Sequence, residues 1–283
     1  MRGALPASLY CLFEGCMQNR RRVIAAILAT VGSGIFSHGA VAETAITAAL
    51  PNFSGSNGAM LQKNGDTAVS GGSLRLTRSQ GTIYGTAFLK DLVTLPTNRS
   101  FSAYFTFRIT EPKCGLGGGA DGLTFIVQTD SSSVGSMGGG IGYAGILPSV
   151  AVEFDTFKNN EFKDPNSNHI GISLNGDPES VATVNAPFPL IDGNVYHAWV
   201  DYDGRNNVLQ VRLGDTDSRP SEATISHKVE LESVFGDRVY AGFTAATGTC
   251  SEQHEILSFY FNNDELVGGI DTSLDSFVSS SGE

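Results

Sequence analysis

Charge is scarce in this 283-residue sequence: acidic and basic side chains make up 17% of it, where an ordinary globular chain carries about a quarter. Basic clusters are missing beyond the first 25 residues, and the formal net charge is −11. A nucleic-acid partner is thereby excluded, because phosphate binding needs a concentrated Lys/Arg face. No apolar run reaches the length of about 18 residues that a membrane helix requires. No window of about 12 residues carries apolar side chains at helical spacing, which excludes coiled coils and helical bundles. What is present is glycine, at 34 residues, and apolar side chains, at 41%. That is too much bulk for a disordered chain and enough for one large all-β domain.

The first 42 residues read as an address. Arg20-Arg21-Arg22 precedes an apolar run over 23–36, and Ala40-Val41-Ala42 stands before Glu43. A positive region, a short apolar region and an A-x-A site together make a secretory signal peptide over 1–42, with Met17 as an alternative start. A membrane anchor is the weaker reading, since Gly32, Ser33 and Gly34 interrupt the run. The expected location is therefore secreted or periplasmic, after cleavage near Ala42. Cleavage removes Cys11 and Cys16 and leaves Cys114 and Cys250. In an oxidising compartment those two form either a disulfide or a pair of buried thiols.

Beyond the leader the hydrophobic period is two. Over 101–109, Phe101, Ala103, Phe105, Phe107 and Ile109 share one face, and Ser102, Tyr104, Thr106 and Arg108 share the other. That pattern predicts an antiparallel strand with one buried side. Similar runs span 122–128, 150–157, 169–174, 197–202, 208–213, 239–245 and 256–261. Turn signals such as Asn175-Gly176-Asp177-Pro178 separate them. Many strands without helices predict an all-β antiparallel sandwich or jelly roll. One domain spans 43–265, and a polar C-terminal tail spans 266–283.

Glu153 and Asp155 lie two apart in an apolar strand, so both carboxylates leave one face about 7 Å apart. Like charges on one sheet face are unfavourable unless a cation compensates them. Asn159 and Asp164 follow in the next loop, and His169 opens the next strand. Carboxylates, an amide and a carbonyl suit calcium, and an added imidazole suits a transition ion such as manganese. An acidic turn with solvated ends remains open on spacing alone.

The segment Val150-Ala151-Val152-Glu153-Phe154-Asp155-Thr156-Phe157-Lys158-Asn159, with Asp164-Pro165 and His169-Ile170-Gly171-Ile172, resembles the signature of the legume-type (L-type) lectins. Three further segments match in the same order. They are Ala120-Asp121-Gly122-Leu123, Gly139-Gly140-Ile141-Gly142, and 241–248 followed by His254-Glu255-Ile256-Leu257-Ser258. The resemblance implies a concanavalin-type β-sandwich that binds glycans, and with the leader it reads as an exported bacterial member. It implies that Glu153, Asp155, Asp164 and His169 hold a transition ion (Mn²⁺). Asp155, the Phe157 carbonyl, Asn159 and Asp164 would hold Ca²⁺. It further implies a cis Ala120–Asp121 peptide and a sugar site built from Asp121, Gly139, Phe157, Asn159, Thr249 and Cys250. The family's serine behind the metal site finds only a poor match in Ser180. A short last loop over 249–254 is the kind that the family associates with mannose or glucose. Because that loop neighbours the root of the first one, the resemblance also implies a Cys114–Cys250 disulfide. Partners would be glycans or glycoconjugates, with self-association through sheet edges or faces.

Two other functions compete. A laminarinase-type hydrolase shares the sandwich, but its Glu-x-Asp-x-x-Glu strand motif would need an acid where Lys158 stands. No enzyme activity is expected on that ground. A structural adhesion protein would need neither metal nor a free sugar site. His197 and His254 receive no catalytic role, because no nucleophile pattern accompanies them. Asp201-Tyr202-Asp203-Gly204 reads as a hairpin turn rather than a calcium loop.

Overall fold

The computed structural model describes residues 47–264 and 269–270. The expected leader over 1–42 and the expected tail beyond residue 270 lie outside the described residues. In chain order the strands are β1 (Ala48–Leu50), β2 (Leu61–Gly65), β3 (Ala68–Ser70), β4 (Ser73–Thr77), β5 (Tyr84–Leu89) and β6 (Val93–Thr94). The long β7 (Phe101–Lys113) is followed by β8 (Gly122–Gln128), β9 (Ser149–Asp155) and β10 (His169–Leu174). Then come β11 (Ala182–Asn185), β12 (Tyr196–Asp203), β13 (Val208–Gly214), β14 (Ile225–Lys228), β15 (Arg238–Ala246) and β16 (Ser251–Asn262). The one α-helix among the described residues is the four-residue α1 (Ser56–Ala59).

The strands form two eight-stranded antiparallel sheets. The first, sheet A, runs β14-β13-β12-β7-β16-β4-β3, with β1 also on β16. The second, sheet B, runs β11-β10-β9-β8-β15-β5-β2, with β6 also on β15. Alternation decides which residues enter the core between them. Phe101, Ala103, Phe105, Phe107 and Ile109 of β7 are all fully buried there, as their shared face predicts. They meet Phe125 of β8, Phe154 of β9 and Phe243 of β15, with the Phe105 and Phe243 ring centroids 5.0 Å apart. Burying each such ring is worth about 1.5–3 kcal/mol, so this aromatic stack is the main adhesive of the sandwich. The eight anticipated strands are all present, with ends moved by a few residues. Strands β1 to β6, β11 and β14 are too short, at two to six residues, to display a period.

Sheet B carries a second buried layer on its outer side. Ile126 of β8 and Ala151 of β9 pack there under Ile141, Tyr143 and Ile146 of the loop between those strands. All seven residues of β9 are therefore buried. Val150, Val152 and Phe154 point into the sandwich, and Ala151, Glu153 and Asp155 point the other way. That second face is where polar groups have been sealed under a loop. No helix among the described residues is long and apolar enough to cross a membrane.

Candidate functional site

The register of three central strands builds the site. Asp155 faces His169 on β10 and Gly122 on β8, and Glu153 faces Gly171 and Thr124. Gly171 is required by contact: a Cβ there would lie 2.8 Å from Glu153 Cγ. One ligand atom from each of Asp155, Asp164 and His169 lies within 4.8 Å of the others. Glu153 joins them, with Oε1 4.0 Å from His169 Nε2, and Asp164 Oδ1 lies 3.8 Å from the same nitrogen. His169 Nδ1 is 2.9 Å from the Asn166 carbonyl, to which it donates. That leaves Nε2 as a buried lone pair with no hydrogen-bond partner. A neutral imidazole oriented by a carbonyl is the usual form of a metal-binding histidine.

Electrostatics tell the same story. Burial pushes the Glu153 carboxyl up to about 7. Burial, with Glu153 and Asp164 adding, raises Asp155 well above the usual carboxylate range. Asp164 is also raised by burial, and burial lowers His169 and keeps it neutral. Three acids and a neutral imidazole, with orphaned atoms at His169 Nε2 and Asn159 Oδ1, fit a bound dication as compensation. The donor set suits hard and borderline ions together: carboxylates and an amide oxygen for Ca²⁺, the imidazole for a transition ion.

Above this cluster lie the predicted sugar contacts. Asp121 follows a cis Ala120–Asp121 peptide, as the resemblance implied. Its backbone is pinned twice: its N–H donates to Ala246 O at 2.9 Å, and its carbonyl accepts from Thr156 N–H at 3.2 Å. Its side chain is buried with Oδ2 unpartnered. Burial, and then Glu252, push that carboxyl up to about 7. Gly139 packs on Asn159, since a Cβ there would lie 2.7 Å from Asn159 Nδ2. A Cβ on Gly248 would lie 3.4 Å from Asp121 Oδ2, so the last loop closes over the same carboxylate. The Asn159 N–H donates to Asp164 Oδ2 at 2.6 Å, and the Phe157 N–H to Asp155 Oδ1 at 2.8 Å. Phe157 is half-buried and Thr249 exposed beside them. Cys250 is disulfide-bonded to Cys114, with their Cα atoms 4.8 Å apart across 136 residues of chain. Of the two states left open by counting, the bridge is the one formed.

Several residues at the site were not legible in the sequence. Ser180, a poor match on spacing, donates to Glu153 Oε1 at 2.5 Å and lies 2.9 Å from Ser173 Oγ. Tyr143 donates to the other oxygen, Glu153 Oε2, at 2.8 Å. Both come from loops, and only the fold delivers them. Glu252 and His254 are fully buried on β16, and the Glu252 charge acts on the Asp121 carboxyl. Lys158 is exposed at the position where a hydrolase of this architecture would place its acid.

Comparison with known proteins agrees with this geometry. The family described as Legume lectin domain matches residues 49–275. The L-type lectin-domain containing receptor kinase VIII.1 of Arabidopsis thaliana is 36% identical over 172 residues, 58% of this chain and 24% of that protein. The chain thus spans about a quarter of that receptor kinase's length. Lectin-like protein At1g53070 of Arabidopsis thaliana is 31% identical over 221 residues, 68% of this chain and 79% of that protein. Among solved structures, the lectin from Bauhinia forficata in complex with GalNAc superposes with a TM-score of 0.66. It is 28% identical, covering 76% of this chain and 96% of that one. Both relatives are plant proteins, so the expectation of a bacterial origin gains no support from them.

Proposed function

Since this chain belongs to the legume lectin domain family, whose match covers 49–275, we propose that it is an exported, Ca²⁺- and Mn²⁺-dependent lectin for mannose- or glucose-type glycans. One observation carries the reading. An unpartnered buried carboxylate oxygen on Asp121 lies under Gly248 of the last loop. Nearby, Asn159 packs on Gly139 and reaches into the Asp155–Asp164–His169 cluster through its backbone N–H.

A sugar presents hydroxyls that donate and accept, on a ring with an apolar face. The Asp121 carboxylate accepts from two hydroxyls. The Asn159 amide and the Gly139 N–H donate, the Phe157 ring supports the apolar face, and the Thr249 and Cys250 N–H groups meet the far hydroxyls. Glu153, Asp155, Asp164 and His169 would hold the transition ion. Asp155, the Phe157 carbonyl, Asn159 and Asp164 would hold calcium. When bound, the ions would supply charge compensation that lets three buried acids stay ionised. Binding rather than hydrolysis is favoured by Lys158 in place of an acid. Export is supported by the leader-like sequence over 1–42, and self-association through a sheet edge or face belongs to the same proposal.

Mannose and glucose are favoured by the short last loop, expected over 249–254; β16 already begins at Ser251, so the loop is shorter still, residues 247–250. A galactose-type ligand is the second reading, favoured by the GalNAc bound to the similar Bauhinia forficata lectin. A glycan array run with Ca²⁺ and Mn²⁺, and again after chelation, decides between them. Silence in both arms sinks the lectin reading and favours the structural adhesion role. Signals that survive exhaustive chelation sink the metal dependence.

A further inference from the structure

Glu252 is fully buried on β16, two residues past the disulfide, and no lysine or arginine of the described residues forms an ion pair with it. Its Oε1 accepts from the Thr156 hydroxyl and lies 2.9 Å from His254 Nε2, which is also fully buried. The opposite nitrogen, His254 Nδ1, lies 2.6 Å from Thr77 Oγ1 on β4. With the Thr77 hydroxyl donating to Nδ1 and Nε2–H donating to Glu252, the chain Thr77–His254–Glu252–Thr156 is satisfied from end to end. Glu252 Oε2 alone has no partner. It is turned toward Gly119, where a Cβ would collide with it and lie 2.8 Å from Glu252 Cδ and 3.3 Å from Glu252 Cβ.

Glycine at 119 is therefore not a backbone requirement. Gly119 is not among the residues with positive φ, so its dihedrals suit any L residue. It is glycine because Glu252 occupies the space, and Glu252 cannot swing away while two hydrogen bonds pin Oε1 in a site without solvent. Gly119 lies two residues before Asp121, and Thr156 lies one residue after Asp155 and donates its N–H to the Asp121 carbonyl. Glu252 thus touches both segments that fix the sugar carboxylate, and its charge also faces the Asp121 carboxyl.

We propose that Glu252, held by His254 and Thr77, is a positioning residue for the sugar site: it wedges between Gly119 and Thr156 and sets where the Asp121 carboxylate stands. The inference rests on the lectin reading above and adds a residue to that site. The wedge acts through shape. An isosteric neutral side chain keeps it, and a truncated one loses it. A misplaced carboxylate forfeits charged hydrogen bonds whose geometry is narrow, so affinity falls while the metal donors stay in place.

The test uses the full chain loaded with Ca²⁺ and Mn²⁺ on two surfaces, yeast mannan and a galactose-terminated glycoprotein, read by surface plasmon resonance. If the wild-type chain binds neither, the lectin reading fails and this inference with it. Given wild-type binding, Glu252→Ala is expected to weaken it tenfold or more with unchanged calcium and manganese content by mass spectrometry. Glu252→Gln and Thr156→Val, both isosteric, stay within about threefold. The decisive readout is the cycle with Gly119→Ala. That change weakens binding tenfold or more in the wild type, and in the Glu252→Ala background it causes no further loss. Circular dichroism confirms folding, and if Glu252→Ala does not fold, Glu252→Gln, Thr156→Val and Gly119→Ala decide alone. Wild-type affinity in Gly119→Ala overturns the proposal, as does a tenfold loss in Thr156→Val. So does equal loss in Glu252→Gln and Glu252→Ala, which would make charge the agent, and so does loss of metal from Glu252→Ala.

Discussion

The outer faces of the two sheets both bury acids, and they compensate them in opposite ways. On sheet A, Glu255 lies 2.8 Å from Arg108 Nη2, and its second oxygen accepts from Ser73. Asp201 lies 2.6 Å from Arg219 and 3.6 Å from Arg212. On sheet B, Glu153, Asp155 and Asp164 converge on a neutral imidazole, and no lysine or arginine of the described residues forms an ion pair with them. Burying an unpaired charge costs several kcal/mol whichever sheet it lies on. Sheet A meets the charge from its own side chains, so its acids are paired as folded, although Asp201 Oδ1 and Arg212 Nε keep no hydrogen-bond partner. Sheet B leaves it unmet by any lysine or arginine, which is why the proposed function places cations there. The contrast separates a structural surface from a functional one more cleanly than acidity does, since both faces are acidic.

The largest expected effect breaks the sheet B side. Asp155→Ala removes a donor shared by both proposed ion sites. Calcium and manganese content by mass spectrometry should drop together, and glycan capture should be abolished while the far-ultraviolet circular dichroism of the sandwich remains. Retained capture would mean that the acids of sheet B are not a metal site. Next in size is the bridge at the rim of the site. The double change Cys114→Ser and Cys250→Ser reopens a loop of 136 residues, for which chain entropy predicts a loss of about 4–5 kcal/mol as an upper figure. Chemical denaturation measures it directly.

Asp201→Ala is the matching break on sheet A. It strands two guanidiniums, of which Arg212 is 8% exposed, and should lower stability by about 3 kcal/mol. Glycan affinity and metal content should not move. If they do, the two faces are coupled and the contrast fails.

A smaller effect sharpens the same contrast through pH. In chelated protein the Glu153 and Asp121 carboxyls stand near 7 rather than in their ordinary range near 4, both chiefly through burial. A raised folded-state value means that the folded chain binds protons more tightly than the unfolded one. The stabilisation is complete below about pH 4 for these groups and is lost as pH rises through about 7. Chelated protein should therefore melt several degrees lower at pH 8 than at pH 5.5 by scanning calorimetry. With Ca²⁺ and Mn²⁺ restored the slope should reverse, because the ions bind the ionised form. A flat profile in the chelated arm would contradict burial of ionisable acids without a cation. Smallest is Asp121→Asn. Losing a charged acceptor is worth about 1.5–3 kcal/mol, so affinity on a glycan surface should fall tenfold or somewhat more, with metal content unchanged.

Much of this was legible in the sequence because the governing rules are local. A side-chain period of two placed Phe101, Phe105 and Phe107 in the core, and it placed Glu153 and Asp155 together on the opposite face from Phe154. Turn residues separated the strands, and the proposed metal donors lie within 17 residues of chain from Glu153 to His169. Residues that act at a distance were not legible, because nothing in their own neighbourhood marks them. Ser180 and Tyr143 reach Glu153 only when two loops fold over sheet B. Arg219 finds Asp201 from 18 residues away, and Glu252 meets Thr156 from 96 residues away. Cysteine counting left two states for Cys114 and Cys250, and the approach of β7's end to the start of β16 chose one. Sequence by itself determined the strands, their buried faces and the chemistry of the acidic segment, since those follow from alternation and residue type. Which acids received a cation from the chain, and which did not, was decided by tertiary structure alone, because pairing depends on side chains meeting across strands that are remote in sequence.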